Sequence, residues 1–389
     1  MTKSKILIIN TNYRIFGGED SNIIDEFKFL KNKYNVKIIN FSNKDKIRLL
    51  DLLSFLKLSD NKSNKEIRNV IHDFQPDVAY VHNLWFKANL GILKELKKNR
   101  IEIIHKIHNY RFDCSRYFIA KYHFKENKIC PACGLEKAKL GIFNRYFPES
   151  ILKSLFLIYF SKKYFKMLQN YKIKILVMSK YQKNYLKNLG IDSKKIYIYP
   201  NPVIFNKKDF QKYNPKSKSV VFVGRLESNK GIKEIIDSWN KCSMNNLELL
   251  IIGSGSLYAS YKSKYESESI KFLGNLSNNE AKNYIRKSRA LVTATKLYEG
   301  QPRVLLEASS YAVPSIYPSF GGMDDFFPPD YPLSFSQFNY QNFCEKLEKL
   351  NDDNYLLQHS TNLSLFIEDK FNSENIHQMF DSIIHINNE

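Results

Sequence analysis

Two carboxylates eight residues apart have the spacing in this chain that points most directly to chemistry. They lie in Tyr298-Glu299-Gly300-Gln301-Pro302-Arg303-Val304-Leu305-Leu306-Glu307, and Pro302 between them suits the first turn of a helix. The pattern predicts a loop that opens a helix, with Glu299 at the mouth and Glu307 about two turns on, along the same face. Carboxylates held this way accept hydrogen bonds from vicinal hydroxyls. Backbone N–H groups around Gly300 and Gln301 suit phosphate or sugar oxygens at the helix start. Cations stand upstream: Val223-Gly224-Arg225-Leu226 is followed by Lys230-Gly231. An Arg and a Lys beside a diphosphate stabilise charge growing on a leaving group, most effectively where water is scarce. Spacing alone leaves the ordinary readings open, namely solvated acids and two surface cations on a basic chain.

Three further groups are candidates. Gly17-Gly18-Glu19 follows the first apolar run, where a glycine pair lets backbone approach a ligand closely; it lacks the full dinucleotide fingerprint, so no NAD site is expected. His108-Asn109-Tyr110-Arg111 follows the run Ile101 to Ile107 and offers a histidine at a strand end, although a lone histidine is often structural. Cys114, Cys130 and Cys133 come next, with Cys-Pro-Ala-Cys-Gly forming half of a zinc knuckle. Either Cys114 and His123 complete a structural zinc site or the segment is a reduced cysteine-bearing loop. Asp324-Asp325, after Gly321-Gly322, is assigned no metal.

The elements that must position these residues alternate. Strand-like runs at Lys5 to Asn10, Val36 to Phe41, Asp77 to His82, Ile101 to Ile107 and Lys174 to Met178 are separated by helical patterns such as Asn22 to Lys31 and Tyr181 to Leu189. A break rich in Pro, Lys, Asn and Ser follows Asn201. The series then restarts at Ser219 to Val223, with Leu247 to Ile252, Ile270 to Leu273 and Ala290 to Thr293, and helices over Gly231 to Cys242, Asn278 to Lys287 and about Pro302 to Val313. Continuous apolar runs such as Ile6-Leu7-Ile8-Ile9 suit strands covered on both faces. The fold class is therefore α/β, two doubly wound Rossmann-like domains, with the site expected beyond the strand ends in an interdomain cleft. The divisions are an N-terminal domain over 1–203, a linker over 204–218, a second domain over 219–365, and a final helix over 366–389 able to pack back on the first.

The chain has 389 residues, 43% hydrophobic and 25% charged, which excludes a disordered or collagen-like polymer. With 60 Lys and Arg against 39 Asp and Glu, its net charge of +21 implies attraction to something anionic. No apolar run reaches membrane-span length and no signal-peptide pattern opens the chain, so a cytoplasmic protein is expected. The five cysteines do not form a disulfide framework. From Lys137 to Lys174 basic and aromatic residues interleave, as on a surface facing an anionic membrane, with an amphipathic helix packed on the first domain as the alternative.

Glu-x7-Glu in this setting, with Gly224-Arg225 and Lys230-Gly231 at the start of the second domain, resembles the retaining glycosyltransferases of the GT-B fold, family 4, over nearly the whole chain. The resemblance implies that Arg225 and Lys230 bind the donor's diphosphate, that Glu307 holds the nucleotide ribose, and that Glu299 with Gly300, Gln301 and Pro302 faces the donor sugar. Gly253 of Gly253-Ser254-Gly255 then turns near the donor, and Leu276 of Phe272-Leu273-Gly274-Asn275-Leu276 lies in the stretch whose backbone meets the base. Gly17 and Gly18 approach the donor phosphate and acceptor.

A subset of the family that builds bacterial surface polysaccharides is similar through His108 and the cysteines after it. That implies His108 as the active-site histidine, with the departing phosphate oxygen taking the acceptor's proton on the same face. The implied reaction moves a hexose from a UDP- or GDP-sugar to a hydroxyl of a glycan or lipid-linked acceptor, with no required cofactor or catalytic metal, at the inner face of the cell membrane. Gln301 and Arg303 depart from the family loop, where Phe and less polar residues are common. Three rivals remain: a sugar-nucleotide epimerase of the same fold, a non-catalytic membrane-surface scaffold, and a basic nucleic-acid-binding protein. No nucleic-acid partner is expected, because the chain carries no recognised binding signature.

Overall fold

The computed structural model describes residues 3–12, 18–42, 55, 62–85, 88–108, 150–203 and 213–386. These fall into two compact units: one holds the described residues up to Pro202 together with those from Ile376 onward, the other those from Val203 to Asn375.

In the first unit, β1 (Lys5–Asn12), β2 (Asn35–Ser42), β3 (Val78–Val81), β4 (Glu102–Lys106), β5 (Ile173–Val177) and β6 (Ile196–Ile198) form one parallel sheet in the order β2-β1-β3-β4-β5-β6. Between them run α1 (Gly18–Lys31), α2 (Lys62–Phe74), α3 (Gly91–Lys98), α4 (Ile151–Asn170) and α5 (Lys180–Asn188). Ile6 to Ile9, Val78 to Val81 and Ile173 to Val177 are buried along their whole length, as helices on both faces of a parallel sheet require. Ser179 caps α5 by accepting a hydrogen bond from the Gln182 N–H at 3.1 Å.

Two strand lysines are sealed inside this unit. Lys106 lies 3.1 Å from Glu26 Oε1, both fully buried, and Tyr80 donates to the same oxygen at 2.6 Å. Lys174 pairs with Glu102 and donates to the Ile383 carbonyl at 2.7 Å.

The second unit repeats the plan. β7 (Ser219–Val223), β8 (Glu248–Ile252), β9 (Ile270–Gly274), β10 (Ala290–Val292), β11 (Ser315–Ser319) and β12 (Ser334–Ser336) form a parallel sheet in the order β12-β11-β10-β7-β8-β9. Its helices are α6 (Ile232–Lys241), α7 (Tyr258–Tyr265), α8 (Asn278–Lys287), α9 (Arg303–Ser310), α10 (Tyr340–Glu348) and α11 (Asp353–Phe371). A capping box starts α8: the Ser277 hydroxyl accepts from the Glu280 N–H at 3.3 Å, and Glu280 accepts from the Ser277 N–H at 2.9 Å. Three strands extend the sheets beyond what the sequence pattern suggested, β6, β11 and β12. Two of them have only three residues, too few for a periodicity to register. In β11, Pro318 lies past the residues paired with β10, so its missing N–H breaks no bond on that side.

The last helix, α12 (Ser373–His385), joins the first unit from Ile376 on. Its Phe380 is fully buried against the rings of Tyr34, Tyr80 and Tyr199. His377 stacks on Phe29 with ring centres 3.8 Å apart. Asp381 takes bonds from Lys33 and Tyr34, while Lys174 meets the carbonyl-rich end of the helix, where a cation is favoured.

Candidate functional site

In the second unit the chain runs outward from β7 through β8 to β9, then returns to β7's other side and runs outward from β10 to β12. The β7/β10 boundary is thus the switch point, beyond whose carboxyl strand ends an α/β sheet takes its ligand. Both loops there carry candidate residues, and they are tied together. The Lys296 N–H donates to the Asn229 carbonyl at 2.9 Å. Lys230 Nζ lies 2.7 Å from Glu299 Oε1, and the Thr295 hydroxyl donates to the same oxygen at 3.3 Å. Gly231 stands between them at φ 72°, and a Cβ there would lie 1.9 Å from the Ala294 carbonyl oxygen. The glycine after Lys230 is therefore required by the closeness of the two loops.

The ends of β7, β8 and β9 are knitted in turn. Gly224 N–H donates to the Ile252 carbonyl and Leu226 N–H to that of Ser254, each at 3.0 Å, while Gly253 N–H reaches the Gly274 carbonyl at 2.8 Å. Gly253 has φ 133°, and a Cβ on it would lie 1.9 Å from the Gly224 oxygen. Arg225, on the rim of this seam, is exposed and 3.5 Å from Glu227. Leu276 follows β9 and is partly exposed.

The second carboxylate is engaged separately. Glu307 lies in α9, where Arg303 Nε donates to its Oε1 at 2.9 Å and Lys282 of α8 stands 3.6 Å away. The helix begins at Arg303 with Pro302 as its N-cap, so Glu299 belongs to the preceding loop and does not share a helix face with Glu307. The expected shared face is thus corrected: Pro302 is the N-cap and not a first-turn residue, and in either place it leaves Glu299 ahead of the helix, where helical periodicity fixes no face. Gly300 and Gln301, in that loop, are buried.

The first unit has its own switch point between β1 and β3. Asn83, after β3, donates to the Thr11 carbonyl at 2.9 Å. His108, after β4, is partly buried, and its Nε2 lies 2.9 Å from Nδ1 of the buried His82, which follows β3. Burial holds both imidazoles well below the usual histidine range, and the nearby Lys106 adds to it, so both are neutral near pH 7. His105 is sealed in β4, bonded to the Val81 carbonyl at 2.8 Å and to the Tyr164 hydroxyl, and burial pulls it down to about 4. Gly18 opens α1. Gly17, Asn109 to Arg111, Cys114, His123, Cys130 and Cys133 lie outside the described residues. Among the described residues, no group of three His, Cys, Asp or Glu is arranged to hold a metal ion.

Residues 204–364 match the family described as Glycosyl transferases group 1. That segment holds Arg225, Lys230, Gly253, Leu276, Glu299 and Glu307. The amylovoran biosynthesis glycosyltransferase AmsD of Erwinia amylovora is 29% identical over 150 residues, a match covering 37% of this chain and 42% of that relative, so under half of its length. Among solved structures, HepE of Anabaena in complex with UDP and glucose superposes with a TM-score of 0.68 at 13% identity, covering 97% of this chain and 98% of its own. Sucrose-phosphate synthase from Thermosynechococcus elongatus gives 0.71 at 14% identity, covering 98% of each chain. The fold is GT-B.

Sequence reasoning passed over His82, Thr295 and Lys282. His82 carried a signal, since it ends an apolar strand run as His108 does. Thr295 and Lys282 meet the two carboxylates from separate segments, and no local pattern marks them.

Proposed function

We propose that this chain is a glycosyltransferase of family 4 that moves a hexose from a nucleoside diphosphate sugar to a hydroxyl of a glycan or lipid-linked acceptor, with retention, in bacterial surface polysaccharide synthesis. The observation that carries the reading is the Lys230–Glu299 pair at the β7/β10 switch point, inside the segment that matches the glycosyltransferase family. HepE, of like fold, is described with UDP and glucose, and AmsD is named for amylovoran biosynthesis, which supports a nucleotide-sugar donor and a polysaccharide product.

In this reading Lys230 and Arg225 meet the donor diphosphate, Glu307 accepts from the ribose hydroxyls, and Glu299 accepts from hydroxyls of the donor sugar. The bond from the anomeric carbon to the diphosphate oxygen breaks as charge on that oxygen is met by Lys230 and Arg225. The acceptor oxygen forms the new glycosidic bond on the same face, and its proton passes to the departing phosphate oxygen. Neutral His108 lies near the reacting carbon as a hydrogen-bonding group. Two cations serve the leaving group here, in the place a catalytic metal would take.

In the same reading the transfer takes place at the inner face of the cell membrane. Supporting this, α4 exposes Leu152 and Leu155, 69% and 48% accessible, toward one end of a face that continues into the exposed Lys162, Lys163 and Lys166. Among the described residues no helix is long and apolar enough to cross a membrane. Incubation of the purified protein with UDP- and GDP-sugars and a lipid-linked acceptor tests the reaction. Free nucleoside diphosphate with a new glycoside supports it, and an isomerised donor would instead indicate an epimerase.

A further inference from the structure

His82 and His108 meet nitrogen to nitrogen, and only one proton can lie between them. The contact joins Nδ1 of His82 to Nε2 of His108 at 2.9 Å, with the rings within 16° of coplanar alignment. His82 is 2% exposed, and its other nitrogen, Nε2, is buried without a hydrogen-bond partner among the described residues. The side chain is held from behind: its ring lies 4.3 Å from that of Tyr80, which in turn packs on Phe380 of α12. His82 therefore has a fixed orientation, one satisfied nitrogen and one that no described residue satisfies.

That asymmetry decides where the protons are. Each imidazole is neutral, so each carries one N–H and one bare nitrogen. Were the shared proton on His108, His82 would have to carry its own on Nε2 and bury an N–H with no acceptor. Buried polar groups are nearly always hydrogen-bonded, and a donor left without an acceptor is rarer than an acceptor left without a donor. With the proton on His82 Nδ1, the buried Nε2 is the bare nitrogen and the contact is a normal N–H···N bond. His108 then accepts at Nε2, and its own proton is on Nδ1.

We infer that His82 is a positioning residue that fixes His108 as the Nδ1–H tautomer and sets its ring plane through the His82 Nδ1–H···Nε2 His108 bond. Resting on the proposed role of His108, this assigns the ring a definite chemistry: it offers a ligand a hydrogen-bond donor at Nδ1, and its Nε2 is occupied. His108 is thus equipped to donate to a sugar or phosphate oxygen and not to act as a general base through Nε2, which agrees with leaving the acceptor's proton to the departing phosphate.

Long-range proton–nitrogen NMR of the full-length, nitrogen-15-labelled protein reads both tautomers without any substrate. The expected spectrum shows His108 protonated at Nδ1 and bare at Nε2, and His82 likewise, with peaks assigned by loss in His82→Asn and His108→Gln. A His108 signal protonated at Nε2 overturns the inference. The variants give an independent readout. His82→Asn keeps an N–H where Nδ1 stood and should hold kcat within a few-fold, while His82→Leu should lower kcat by about 10- to 100-fold at little change in donor KM, the range expected when a site group loses its aim. Equal activity of the two variants, or equal loss in both, contradicts a positioning role. Unaltered transfer in His108→Gln would instead remove the proposed function of His108 and leave the tautomer result standing.

Discussion

Lys230 Nζ lies 2.7 Å from Glu299 Oε1, so the cation proposed for the donor diphosphate and the carboxylate proposed for the donor sugar neutralise each other across the switch point. A bound diphosphate must compete for that lysine. Glu299→Gln should therefore tighten UDP or GDP binding by about 3- to 10-fold, the scale of a partly exposed ion pair of ~1 kcal/mol, while transfer falls. Lys230→Ala should weaken nucleotide binding and lower kcat by roughly 100- to 1000-fold, as for the loss of one leaving-group stabiliser. Calorimetric titration with nucleoside diphosphate and steady-state transfer check both, and weaker binding in Glu299→Gln would contradict the competition.

The glycines at the seam have no room for a side chain. Gly231→Ala and Gly253→Ala would each drive a Cβ to 1.9 Å from a backbone oxygen, at φ values of 72° and 133° that L-residues rarely adopt. Each should destabilise the second unit by about 2 to 4 kcal/mol and impair nucleotide binding, because the loops must part. Urea unfolding with m-values measures this. A loss of under about 0.5 kcal/mol would mean the loops part freely.

These site features differ in how far the sequence disclosed them. Apolar runs such as Ile6 to Ile9 marked the parallel strands, and Gly224-Arg225, Lys230-Gly231 and Glu299 were legible because each motif is local and sits at a strand end. The contact between Lys230 and Glu299 was not, since it depends on β10 returning beside β7. The same holds for His82 with His108, which follow adjacent strands and are 26 residues apart. Lys106 and Lys174 read as ordinary strand lysines, and only the fold supplies Glu26 and the end of α12 to receive them. The shared face expected for Glu299 and Glu307 failed because helical spacing fixes a face only inside the helix, and Glu299 precedes α9.

The Lys106–Glu26 pair is fully buried, so removing one partner strands the other. Lys106→Met should cost about 3 to 5 kcal/mol, and Glu26→Gln in that background should recover part of it, since the uncompensated charge is what destabilises. A double-mutant cycle by denaturant unfolding measures the coupling. Additive losses would show that the two groups do not interact.

Acid should destabilise the first unit. His82, His105 and His108 all have folded-state values below the ordinary 6.5. Above that pH both folded and unfolded chains are neutral at these sites and nothing changes. Below it the unfolded chain binds protons first, so stability falls as pH falls, by about 1.4 kcal/mol per pH unit for each histidine until its folded value is reached. For His105 that window runs from 6.5 down to about 4. Stability measured from pH 7.5 to 4.5 should fall less steeply in His82→Asn than in the wild type, and a flat profile would contradict neutral burial.

The membrane reading rests on α4. Sedimentation with vesicles of neutral lipid, with and without anionic phosphatidylglycerol, should show binding only to the anionic set. Lys162→Glu with Lys163→Glu should reduce it about 10-fold or more, given ~1 kcal/mol per basic residue near the surface. Equal binding to both vesicle types would exclude an electrostatic attachment.

The claim of a nucleoside diphosphate sugar site at the β7/β10 switch point is tested most directly by thermal unfolding with UDP, GDP and their sugars, in the wild type, Lys230→Ala and Glu307→Ala. A ligand that binds only the folded protein stabilises it by about 2.7 kcal/mol at a hundred times its Kd, enough to raise the midpoint by several degrees. The account predicts such a rise for one nucleotide series in the wild type and its loss in both variants. No rise with any nucleotide at millimolar concentration, in folded wild-type protein, would contradict it.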